Sequence, residues 1–182
     1  MYYVLSIFPL CLVTAWHAYL LCSFKGSSRK ETISEHACET PQKLRLHRAA
    51  HILASICLFL FGAVFLWQHD YHTMALLLMS GAVFDVIEVM TLNEYIAHKP
   101  VLFEPHQTSA WAMAFCYLTY GVLATKTAGL SLLLVSTVWV SFFIILGISI
   151  KKKFRRFWVS QMTYFTLLSI VLAIAQAKLV LA

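Results

Sequence analysis

The chain has 182 residues, of which 60% are hydrophobic and 12% charged, with a mean hydropathy of +0.76. Soluble domains carry about 25% charged residues, so the composition excludes an ordinary soluble domain and points to an all-α, polytopic integral membrane protein. The net charge of +6 does not imply a nucleic-acid partner, because the basic residues are concentrated in short connecting segments, where they act as orientation signals.

A membrane-spanning helix needs about 20 predominantly apolar residues. Six segments qualify, at 2–24, 47–67, 73–96, 108–125, 129–150 and 157–180. They predict a six-transmembrane-helix bundle forming one domain over residues 1–182. The first segment lacks the basic start of a signal peptide and its apolar run is longer than a signal core, so it is expected to be a retained helix. Ser6, Thr14 and His17 fall on one side of it. The connection that follows, 25–48, carries Lys25, Arg29, Lys30, Lys43, Arg45 and Arg48. Together with Lys99 and the run KKKFRR at 151–156, it accounts for 12 of the 14 basic residues. The positive-inside rule then assigns the first, third and fifth connections to the cytoplasm and both termini to the non-cytoplasmic side. A bacterial inner membrane or an equivalent one is the expected location, with membrane lipids as partners. The same basic clusters suit anionic lipid headgroups.

The second segment places His47 and His51 four residues apart, on one helix face that continues through Ser55 and Gly62. HxxxH alone does not separate a ligand pair from two imidazoles resting at a membrane edge. The third segment is the anomalous one. Its stretch GAVFDVIEVMTLNEYIAHKP is apolar enough to cross a bilayer yet contains Asp85, Glu88, Asn93, Glu94 and His98. Ionisable groups cost about 2.5–3.5 kcal/mol each at the centre of an inserted helix and normally face a partner, a cavity or the bundle interior. At 100° per residue, Glu88, Thr91, Glu94, Tyr95 and His98 cover less than half of the circumference, with Asp85 extending the stripe. With a rise of about 1.5 Å per residue, His17, Glu88, His51 and Glu94 lie about 5–14 Å from their segments' midpoints, all toward the cytoplasmic side. His98, Glu104 and His106 from HKPVLFEPH are expected to cap that layer.

Histidine and carboxylate groups arriving at one level from several helices form the ligand set of a buried metal centre, suited to zinc or iron. The residues assigned to it are His17, His51, Glu88, Glu94, His98 and His106, with Asp85 beside the metal or acting as a proton acceptor. A cation would neutralise carboxylates otherwise stranded in a low dielectric. The competing explanation of Asp85 and Glu88 is that they are protonated and bonded to each other. A metal-dependent enzyme acting on a lipid or another hydrophobic substrate is the leading functional expectation. Three alternatives remain open at this level. His17 and His51 could be axial ligands of haem b in a quinone-reactive subunit. Asp85, Glu88 and Glu94 could form a proton or cation relay in a transporter, its other half continuing through another helix, such as Gln176 and Lys178 in the sixth segment. The chain could also be an accessory subunit pairing its polar groups with other membrane subunits. The five cysteines show no CxxC spacing and read as packing residues.

Overall fold

The computed structural model describes residues 1–22, 32–98, 105–131, seven positions between 133 and 144, and 157–181, without the side chains of residues 21, 93–98 and 157–160. Within them the structure is all helical. Helix α1 spans Tyr2–Cys22, α2 Ile33–Ala37, α3 Pro41–Leu60, α4 His72–His98, α5 Pro105–Thr127 and α6 Phe157–Leu181. Helix α3 continues directly into a π-helical stretch, Phe61–Leu66.

Four stretches among the described residues are long and apolar enough to cross a membrane: Tyr2–Leu20, Pro41–Leu66, His72–Leu92 and Gln161–Leu181. Helix α5 matches the fourth segment expected from the sequence and is 23 residues long, but it does not reach the same apolarity. Most of the expected fifth span, 129–150, lies outside the described residues. The outward faces are apolar, with Leu53, Ile56, Val83, Met90 and Ile170 exposed, as a lipid solvent requires.

Two boundaries differ from the hydropathy reading. Helix α3 begins six residues before position 47, at Pro41, because Thr40 caps it by accepting a hydrogen bond from the Lys43 backbone N–H (3.1 Å). Proline fits the first turn, where its missing N–H is not needed. Hydropathy marks where apolar side chains begin, whereas caps mark where the helix begins. Helix α2, read from the sequence only as part of a connection, is closed by a reciprocal capping box. Thr32 Oγ1 accepts from the Glu35 N–H (3.1 Å), and the Glu35 carboxylate accepts from the Thr32 N–H (2.9 Å). Ile33, Ser34, His36 and Ala37 are buried, and the Ile33 N–H donates to Gln161 Oε1 of α6 (2.9 Å).

Contacts at both ends fix the helix directions. Helix α1 runs antiparallel to α3, since Tyr2 meets Phe65 while His17 meets His51. Helix α4 runs antiparallel to α3 and to α5 by the same kind of pairing: Gly62 with Met79 and His51 with Asp85, then Gly81 with Tyr117 and Glu88 with His106. Helix α6 runs antiparallel to α1, because Leu20 clusters with Met162 while His17 meets Phe165. Helices α5 and α6 therefore point the same way. Helices α4 and α5 approach closely at Gly81, where an added Cβ would lie 2.6 Å from Tyr117 Cε1. Only a residue without a side chain lets the tyrosine ring rest on the α4 backbone there.

Candidate metal centre

The inward face of α3 carries His47, His51 and Ser55 at successive turns, each buried. Helix α1 presents His17, 2% exposed. The buried face of α4 is formed by Gly81, Ala82, Asp85, Glu88, Val89 and Leu92, whereas Ile87 is exposed. Thr91, expected in the polar stripe, turns its hydroxyl back to the Ile87 carbonyl of its own helix (2.7 Å). The buried stripe is thus rotated relative to the polar stripe drawn from the sequence and centres on Asp85. Arg48 holds α3 to α4 beside it, donating from Nε to the Val89 carbonyl (3.0 Å).

These faces bring three imidazoles together. His17, His47 and His51 each offer a ring nitrogen within 4.8 Å of the others, and all three are buried. His17 Nε2 lies 3.2 Å from His51 Nε2. His51 Nδ1 lies 2.8 Å from Asp85 Oδ1, and the Ser55 hydroxyl donates to Asp85 Oδ2 (2.7 Å). A neutral His51 bonded to a carboxylate carries its proton on Nδ1, which leaves the Nε2 lone pair facing His17. This carboxylate–histidine arrangement is the one that fixes the tautomer and orientation of metal-ligating imidazoles. His17 Nδ1 has no hydrogen-bond partner among the described residues.

One donor pair has the spacing that a tetrahedral ion requires. Metal–nitrogen bonds of 2.0–2.1 Å at tetrahedral angles place two ligand nitrogens about 3.3–3.4 Å apart, and the His17–His51 separation is 3.2 Å. His47 fits less simply. Trp16 Nε1–H donates to its Nδ1 (2.9 Å), which leaves the proton of a neutral ring on Nε2. For His47 to ligate through either nitrogen, it must give up the Trp16 hydrogen bond.

Glu88 and His106 form a second unit. His106 Nδ1 donates to the Glu88 backbone carbonyl (3.0 Å), its Nε2 lies 3.2 Å from Glu88 Oε1, and the Ser34 hydroxyl reaches the same oxygen (3.4 Å). The Nε2–Oε1 contact pairs Glu88 with His106 at ion-pair distance. The two carboxylates are therefore not bonded to each other as protonated partners. Each is paired with an imidazole from a neighbouring helix.

Of the residues expected as ligands, His17 and His51 meet, and Asp85 joins them through His51. Glu88 and His106 meet each other but fall outside the three-imidazole group. His106 lies inside the first turn of α5 and not in the connection before it. The side chains of Glu94 and His98, and Glu104 altogether, lie outside the described residues. Sequence reasoning left out His47, although its HxxxH spacing with His51 was the available signal. It also left out Ser34, whose signal was the T-x-x-E capping box at 32–35. Comparison with protein-family models, curated proteins and solved structures finds no match.

Proposed function

We propose that the bundle holds a transition-metal centre, with His17 and His51 ligating through Nε2 and His47 as the third ligand. Zinc or iron suits this imidazole set. Three protein ligands leave a fourth position for water or substrate, as in catalytic sites. The metal would supply Lewis-acid activation of a bound water or of a substrate oxygen. Asp85 would orient His51 and supply compensating negative charge, with the Ser55 hydroxyl holding Asp85 in place. A metal-dependent enzyme acting on a lipid or other hydrophobic substrate is the activity this reading favours. The observation that carries it is the His17–His51 separation of 3.2 Å, with the far nitrogen of His51 held by a buried carboxylate.

The geometry disfavours haem b with His17 and His51 as axial ligands. Two nitrogens on opposite sides of one iron would stand about 4 Å apart at ordinary metal–nitrogen distances, with a macrocycle between them. The shared direction of α5 and α6 supports the six-crossing reading, because the chain linking them has to return to the end from which α6 starts. It is in keeping with the termini lying together on the non-cytoplasmic side, as the basic residues indicate.

Elemental analysis of the purified protein beside His17→Ala and His51→Ala tests the proposal. The expected result is about one zinc or iron per wild-type chain and loss of it in both variants. A metal-free wild type after growth in metal-supplemented medium would overturn it.

A further inference from the structure

The half of the bundle nearest Tyr2 and Leu181 holds polar side chains that the proposed centre does not use. Tyr120, Thr125 and Gln176 are each 0% exposed. Gln176 Nε2 donates to Tyr120 Oη (3.1 Å), but Gln176 Oε1 has no partner among the described residues. Turning the amide over would only exchange an unpaired acceptor for an unpaired donor. Thr125 Oγ1 and Tyr117 Oη are likewise without a partner among the described residues. The Tyr117 ring lies against Gly81, one turn of α4 from Asp85. From Tyr117 to Thr125, α5 rises about 12 Å. The unpaired oxygens of Tyr117 and Thr125 are therefore spread along α5, from the level next to Asp85 to its C-terminal end, and that of Gln176 stands on α6 beside Tyr120.

Buried polar atoms without partners are rare, and each calls for an occupant. All of these groups are neutral, so a metal cation would arrive uncompensated in a low dielectric. Water both donates and accepts, and it is the usual partner of such atoms. We propose that Tyr117, Tyr120, Gln176 and Thr125 bind a column of ordered water that carries proton exchange between the Asp85–His51 pair and the end of the bundle where α1 begins. At the opposite end the buried layer is covered by α2, which sits on Glu88 through Ser34 and on α6 through Gln161. The column depends only on the acid–imidazole layer and stands whether or not a metal binds there.

The test uses the full-length protein in lipid nanodiscs, with the near-isosteric substitutions Tyr117→Phe and Thr125→Val. Two quantities are measured: the rate of hydrogen–deuterium exchange at the His51 imidazole N–H, by nitrogen-15 NMR, and Tm. Exchange is expected to slow by about tenfold or more in both variants, because without the column it has to wait for local opening. Tm is expected to fall, because each substitution removes a water-bonded oxygen. Thr119→Val is the control, since that exposed hydroxyl is satisfied by the Phe115 carbonyl (2.8 Å) and its loss should leave exchange unchanged. Wild-type exchange rates in Tyr117→Phe and Thr125→Val would overturn the proposal. So would a rise in Tm, because removing a truly dry, unpaired oxygen stabilises the fold.

Discussion

Replacing Asp85 with asparagine isolates the charge at the centre from its geometry. Asp85 makes two short contacts, 2.8 Å to His51 Nδ1 and 2.7 Å from the Ser55 hydroxyl. An asparagine can keep both, accepting from His51 through its oxygen and donating to the Ser55 oxygen through its nitrogen. Only the negative charge behind the imidazole is lost. Removing such a supporting group typically weakens metal binding about 10–100-fold, equivalent to about 1.4–2.8 kcal/mol. Asp85→Leu should do more, because it leaves the His51 N–H and the Ser55 hydroxyl buried and unpaired, at about 1–3 kcal/mol each. In a chain of this size each kcal/mol lowers Tm by about 2–4 °C. Zinc affinity is measured by competition with a chromophoric chelator, and stoichiometry by elemental analysis. Asp85→Asn should still bind one zinc, about 10–100-fold more weakly, whereas His51→Ala should bind none. Wild-type affinity in Asp85→Asn would show that the carboxylate does not tune His51. Wild-type binding in His51→Ala would show that the three imidazoles are not the site.

Trp16→Phe removes the N–H that occupies the His47 lone pair; zinc affinity measured by the same competition should rise by up to about tenfold, the net worth of one hydrogen bond. His106→Ala strips the buried Glu88 of its imidazole partner, which should cost about 3–5 kcal/mol in thermal or denaturant unfolding while leaving metal stoichiometry at the wild-type value; loss of metal would return His106 to the ligand set. Gly81→Ala forces a methyl group to 2.6 Å from the Tyr117 ring and should lower stability by about 1–3 kcal/mol through overpacking, read as a lower Tm; an unchanged Tm would mean that α4 and α5 separate easily.

An all-helical chain with helices long and apolar enough to cross a membrane was legible in the sequence, because apolar runs of about 20 residues match the thickness of a bilayer. Asp85, Glu88, His17 and His51 could be singled out for a similar reason: an ionisable group in lipid needs a partner, and that need is visible wherever the residue stands. Their pairing was not legible. Asp85 takes His51 from α3 and Glu88 takes His106 from α5, and which neighbour each carboxylate meets depends on helix rotation. The absence of side chains at Gly62 and Gly81, where neighbouring elements touch, helps to set that rotation. The buried stripe of α4 settled on Asp85, Val89 and Leu92, leaving Thr91 to its own backbone. His47 is indistinguishable in sequence from an interfacial histidine until α1 brings Trp16 and His17 against it. The chain by itself decided that buried charges had to be compensated inside an apolar bundle, since transfer free energy depends on residue type. Which imidazole compensates which carboxylate was decided only by packing, since a hydrogen bond depends on angstroms and angles that no spacing along one helix specifies.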